Sequence, residues 1–169
     1  GTSHTVSKPT GTVAEDLMIA FFVHGSEAAT ITPPAGWTPI GTKAGNASTS
    51  MAAYAYYRLA GASEPASYTW TWNTSASTYA AIGIITTLDN NSLYFSFDTY
   101  AQTNFATSIT HTLTGVTTAL ANEILVGLYG DDDWGSGYSG YTAPLLEYID
   151  VSCSSSCSAT AAVAVGIQA

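Results

Sequence analysis

The sequence predicts an all-β fold, an antiparallel two-sheet β-sandwich of about nine or ten strands. Three observations carry this. Helix signals are nearly absent: no window holds apolar residues at i, i+3, i+4 and i+7 between capping residues, and the solvent-facing helix formers are scarce. Strand-like runs recur about every ten to fifteen residues, with turn-forming residues between them. The length, 169 residues, is that of one ordinary domain, and 46% apolar with 12% aromatic residues is enough for a sizeable core.

The elements follow in order. Pro9-Thr10-Gly11 has turn composition, and residues 17–23 (LMIAFFV) form a continuous apolar run, as expected of a strand buried on both faces or of a central strand of a sandwich. Residues 51–59 (MAAYAYYRL) and 68–72 (YTWTW) are separated by GASEP over 61–65, a hairpin or loop composition. Strict alternation in YTWTW places Tyr68, Trp70 and Trp72 on one face and Thr69 and Thr71 on the other. Residues 79–88 end at Asp89-Asn90-Asn91, a turn cluster, and residues 93–100 (LYFSFDTY) alternate again. A short Thr-rich strand at 109–113, a second buried run at 123–129 (EILVGLY), and strands at 145–151 and 160–167 (TAAVAVGI) complete the set. Short connections without helices imply a sandwich of jelly-roll or immunoglobulin type, and no fixed-period repeat suggests a propeller or solenoid. Residues 1–8 read as an extended N-terminal segment, a candidate exchanged strand, ahead of a single domain over 9–169.

Charge narrows the partners. Three basic residues, Lys8, Lys43 and Arg58, stand against twelve acidic ones, for a formal charge of -9. Nucleic acid is excluded as a partner, because binding a polyanion requires clustered cations. An anionic membrane surface is disfavoured for the same reason, and no apolar stretch approaches the roughly 20 residues of a spanning helix. Hydroxyl replaces charge: 25 Thr and 19 Ser solvate the chain. That composition points to an extracellular or virion surface, the alternative being that Thr and Tyr simply reflect strand propensity.

Two motifs carry a resemblance. Residues 8–20 read K-P-x-G-x-V-x-x-D-L-M-I-A, and residues 32–38 read T-x-P-x-G-W-T. Tyr54 and Tyr56, the A-x-x-G-I segment at 80–84 and N-E-I-L-V-G at 122–127 follow in sequence. This series resembles a recurrent jelly-roll-like β-sandwich module of phage tail-fibre and virion proteins and of bacterial surface or filament proteins. The resemblance implies a building block of fibres and adhesive surfaces, and supplies no catalytic site.

Several constellations are candidates for chemistry. Cys153 and Cys157 are separated by three serines. An extended chain would hold them about 13 Å apart, so a local disulfide would need a tight turn; free thiols are the alternative, and a zinc site lacks a second ligand pair. Asp131, Asp132 and Asp133 lie in a Gly-rich loop and are candidate Ca²⁺ ligands, although the EF-hand spacing is not matched. A solvated acidic turn is the plainer reading. Trp134, Tyr138 and Tyr141 in the same loop suit a sugar site or a protein interface. Beyond Ca²⁺ no cofactor is implied. Asn46, Asn73 and Asn90 head N-x-S/T sequons, about as many as this composition gives by chance.

Enzymatic chemistry finds little support. Ser139 fails the G-x-S-x-G pattern because Tyr141 stands where glycine is needed. His4, His24 and His111 do not single out a triad among so many serines, and the acids mostly sit beside turns. The expectation is a non-enzymatic subunit of an extracellular fibre that associates with copies of itself, one terminal strand completing a neighbour's sheet. The alternative is a carbohydrate-binding module or adhesin that uses the loop from Asp131 to Tyr141.

Overall fold

A computed structural model gives the fold, and it describes residues 1–46, 51–74, 82–88, 97–103, 115–119, 123–131, 146–152 and 160–168. The described residues are all-β, with no helix among them. The strands are β1 (Ser3–Ser7), β2 (Leu17–His24), β3 (Ile31–Thr32), β4 (Thr38–Asn46), β5 (Met51–Leu59), β6 (Ser67–Trp72), β7 (Ile82–Leu88), β8 (Glu123–Asp131), β9 (Leu146–Ser152) and β10 (Thr160–Gln168). They pair, antiparallel throughout, as β4-β5-β2-β7, β1-β6-β3 and β8-β10-β9.

The arrangement is sandwich-like. β2 is the apolar run of the sequence and lies central in the four-stranded sheet, hydrogen-bonded to β5 on one side and β7 on the other. From Met18 to His24 every residue of β2 is buried, so both faces are covered. One face meets β6. Trp70, fully buried, lies 4.4 Å from the Phe22 ring and 4.9 Å from the Tyr56 ring, centroid to centroid. Trp37 closes the cluster edge-on against Tyr68 and Trp70, at 5.2 Å from each. Each large side chain so buried contributes about 1.5–3 kcal/mol, and the edge-on and tilted ring pairs add about 0.5–1.5 kcal/mol. β8 and β10 also approach β2. Because β5 and β7 occupy its edges and β6 its inner face, they come from the side of Ile19, Phe21 and Val23.

Alternation in β6 is as the sequence requires: Tyr68, Trp70 and Trp72 are buried, and Ser67, Thr69 and Thr71 are exposed. The outward hydroxyls are used, since Thr69 hydrogen-bonds Thr5 of β1 at 2.9 Å across the ladder. The GASEP segment between β5 and β6 is a crossover between two sheets, because its flanking strands pair with different neighbours. β10 is the middle strand of its sheet, so both of its edges are paired. β1 pairs with β6 of its own chain.

Two segments depart from expectation. Residues 97–100, read as the end of an alternating strand, are not strand; they lie as a loop against β4 and β5. β4 has no apolar alternation and contains Pro39, Gly41 and Gly45, yet it pairs with β5 through a register shift between Ile40 and Ala44. An edge strand tolerates Pro and a bulge, and both blunt an edge against pairing with another chain.

Candidate binding surface

The two sequence motifs become turns. In the first, Thr12 Oγ1 donates to the Pro9 carbonyl at 2.8 Å and Val13 N donates to Asp16 Oδ2 at 2.9 Å, while Lys8 Nζ reaches the Thr12 carbonyl at 3.4 Å. Glu15 N and Ala60 O, then Ala60 N and Asp16 O, each at 2.8 Å, fasten this turn to the end of β5. In the second motif Gly36 takes a positive φ of 87°, which only glycine adopts without strain, and delivers Trp37 into the core.

A polar cluster joins that turn to the crossover. Arg58 Nη1 donates to the Ala35 carbonyl at 2.8 Å, and Nε and Nη2 donate to Glu64 Oε1 at 3.1 and 2.9 Å. Glu64 Oε1 also accepts from Gly61 N at 2.6 Å, and Oε2 accepts from the Tyr68 hydroxyl. The Glu64 side chain is 4% exposed and that of Arg58 23%. Burial alone would raise the Glu64 pKa, but the bonds from Gly61, Tyr68 and Arg58 outweigh it and hold the carboxyl below its usual value. Burial and the Glu64 partner push the Tyr68 hydroxyl up. The cluster is an ion pair inside a hydrogen-bonded frame, and every group in it is engaged with a backbone or side-chain partner.

His24, at the end of β2, is fully buried with Trp72 edge-on at 5.2 Å. Among the described residues neither ring nitrogen has a hydrogen-bond partner. Burial lowers its pKa, against a smaller opposing effect of the Ser26 backbone.

The outer face of the four-stranded sheet carries a different arrangement. Phe97 stacks on Tyr57 of β5 with ring planes 2° apart and centroids at 5.8 Å, and Tyr100 follows at 6.4 Å, tilted by 35°. Phe97 is 41% and Tyr100 47% exposed. Gln102 Oε1 accepts from Thr42 N at 3.2 Å, and its Nε2 donates to Thr42 Oγ1 at 3.1 Å. Gly41 makes this approach feasible, since a Cβ there would stand 2.7 Å from the Tyr100 ring and 2.9 Å from Gln102 Oε1. Beside it Lys43 pairs with Glu27 at 2.6 Å.

The residues singled out from sequence are placed as follows. Asp131 ends β8 opposite Thr160, Asn46 ends β4 opposite Met51, and Asn73 is exposed after β6, its Oδ1 accepting from Thr30 N at 2.8 Å. Asp132, Asp133, Trp134, Tyr138, Tyr141, Asn90, Cys153 and Cys157 lie outside the described residues. Among the described residues no three His, Cys, Asp or Glu side chains are grouped for a metal ion. The Tyr57, Phe97 and Tyr100 array escapes sequence reasoning because it joins a strand to a loop forty residues on; the two rings three positions apart, Phe97 and Tyr100, are its only local signal. Comparison with protein-family models, with curated proteins and with solved structures gave no match.

Proposed function

We propose that this chain is a non-enzymatic structural module of an extracellular or virion fibre, a jelly-roll-like sandwich that associates with copies of itself through strand, apolar and hydroxyl contacts. One observation carries the reading: the residues of both resemblance motifs build the scaffold. Pro9, Thr12 and Asp16 form one turn, Gly36 and Trp37 the other, and Arg58 binds the second turn to the crossover. A module defined by such residues is defined by shape.

The cations agree with this. Lys8 is held by the Thr12 carbonyl, Lys43 by Glu27 and Arg58 by Glu64, which accounts for all three basic residues of the chain. Two of the three cations thus already have a carboxylate within the chain, and contacts between copies are expected to rest mainly on backbone pairing and uncharged groups. Electron microscopy and sedimentation of the purified chain test the reading, with and without residues 1–8. Filaments or concentration-dependent assembly that require residues 1–8 are expected. Two forms that stay monomeric at high concentration would overturn it.

A further inference from the structure

We infer that the outer face of β4 and β5 binds a neutral glycan, with Phe97 and Tyr100 as the rings on which a sugar stacks and Gln102 and Thr42 as its hydrogen-bonding pair. This goes beyond the fibre reading and does not depend on it.

The first ground is exposure against the habit of the chain. Phe21, Phe22, Trp37, Tyr56, Tyr68, Trp70 and Trp72 are all buried, whereas Phe97 and Tyr100 stand 41% and 47% exposed next to each other. Large rings left in water side by side mark a contact surface.

The second is that the rings are held in position. Tyr57 supports Phe97 in a parallel stack, and Gln102 ties the loop to β4 through two hydrogen bonds over a glycine that leaves room for Tyr100. A surface ordered before its ligand arrives loses little freedom on binding.

The third is chemical match. A pyranose offers a face of C–H bonds, which lies on an aromatic ring, and a rim of hydroxyls. After its bonds to Thr42, Gln102 keeps one amide hydrogen and one lone pair, and the Thr42 hydroxyl keeps its own hydrogen. Those are donors and an acceptor at the edge of the rings, of the kind a sugar rim requires. The charge decides the class: the chain carries -9 and its nearest cation, Lys43, is neutralised by Glu27, so an anionic polymer is repelled.

Calorimetric titration of the full chain with cellohexaose, xylohexaose, mannohexaose and chitohexaose tests this, with an oligogalacturonate as the anionic comparison. Saturable binding of at least one neutral oligosaccharide is expected, weakened about tenfold or more by Tyr100→Ala and by Gln102→Ala and retained by Tyr100→Phe. Unchanged thermal midpoints of these variants show that the fold is intact. Absence of binding across the neutral panel, equal affinity in Tyr100→Ala, or preference for the oligogalacturonate overturns the inference. Self-association that vanishes in Tyr100→Ala without any sugar binding also overturns it, and assigns the rings to a contact between copies.

Discussion

Arg58 Nη1 lies where a side chain at Gly36 would begin: a Cβ built on Gly36 would sit 2.0 Å from it. Two demands meet at this glycine, the positive φ of 87° and the passage of the guanidinium toward the Ala35 carbonyl. Gly36→Ala is expected to destabilise the fold by about 2–4 kcal/mol, the left-handed penalty plus displacement of a part-buried ion pair. Gly11 separates the two effects, because its φ is 88° but nothing lies within 4 Å of a Cβ there. Gly11→Ala should cost only about 1–2 kcal/mol. Urea unfolding of both variants checks the difference, and equal losses would show that Arg58 yields freely.

The Glu64 carboxylate gives a second prediction. Glu64→Gln leaves the Arg58 charge without its counter-ion and should cost about 3 kcal/mol at neutral pH. Because the folded state holds the Glu64 pKa below its usual 4.5, its contribution is complete above that value and is lost as pH falls through the folded pKa. The acid limb of the stability curve should therefore be shallower in Glu64→Gln. Identical acid limbs in both proteins would remove Glu64 from the account.

Part of this was legible in the residues alone. The run LMIAFFV reads as a strand buried on both faces or central in a sandwich, and β2 is buried along its length between β5 and β7; the YTWTW alternation gives the buried face of β6 residue by residue. β4 was not legible, since Thr38–Asn46 carries Pro and glycines where alternation should be, and only its pairing with β5 makes it a strand. Loop 97–103 misled for the opposite reason. Its first residues close the alternating segment 93–100, but the loop is placed by Tyr57, which stacks on Phe97, and by Thr42, which binds Gln102, partners 40 and 60 positions away. Local pattern records which side chains avoid water, and says nothing of which distant surface they find.

His24 predicts a sensitivity to mild acid. Its folded pKa is below 6.5, so its neutral form is favoured by the fold; stability is full above 6.5 and falls as pH drops below that value. His24→Phe keeps a ring against Trp72 and removes two unpartnered nitrogens, so its stability at pH 7 should lie within about 1 kcal/mol of the parent. Between pH 7 and 5 the variant should lose less than the parent in urea titrations. A variant with the parent's pH slope would place the acid sensitivity elsewhere.

Alkaline pH should act through the tyrosines. Burial, with the charge of Glu27, pushes Tyr54 up to about 12, and burial with Tyr54 beside it does the same for Tyr56. Their folded pKa values are raised, so the contribution is intact below the usual 10 and is lost as pH rises from 10 toward 12. Tyrosinate absorbance followed together with circular dichroism should show a late class of tyrosines that ionises only as the fold is lost. Ionisation of every tyrosine near 10 with the dichroism unchanged would contradict their burial.

The engagement of all three basic side chains has a consequence for proteolysis. A protease that cuts after Lys or Arg finds three targets in 169 residues. One is followed by Pro9, a bond such enzymes leave intact; Lys43 lies in β4 at the register shift between Ile40 and Ala44, and Arg58 lies in β5 opposite Met18 of β2. The bond after Arg58 is therefore open to trypsin only when the β4-β5 edge leaves β2. Its cleavage rate is a direct gauge of how often the four-stranded sheet lets go of its edge.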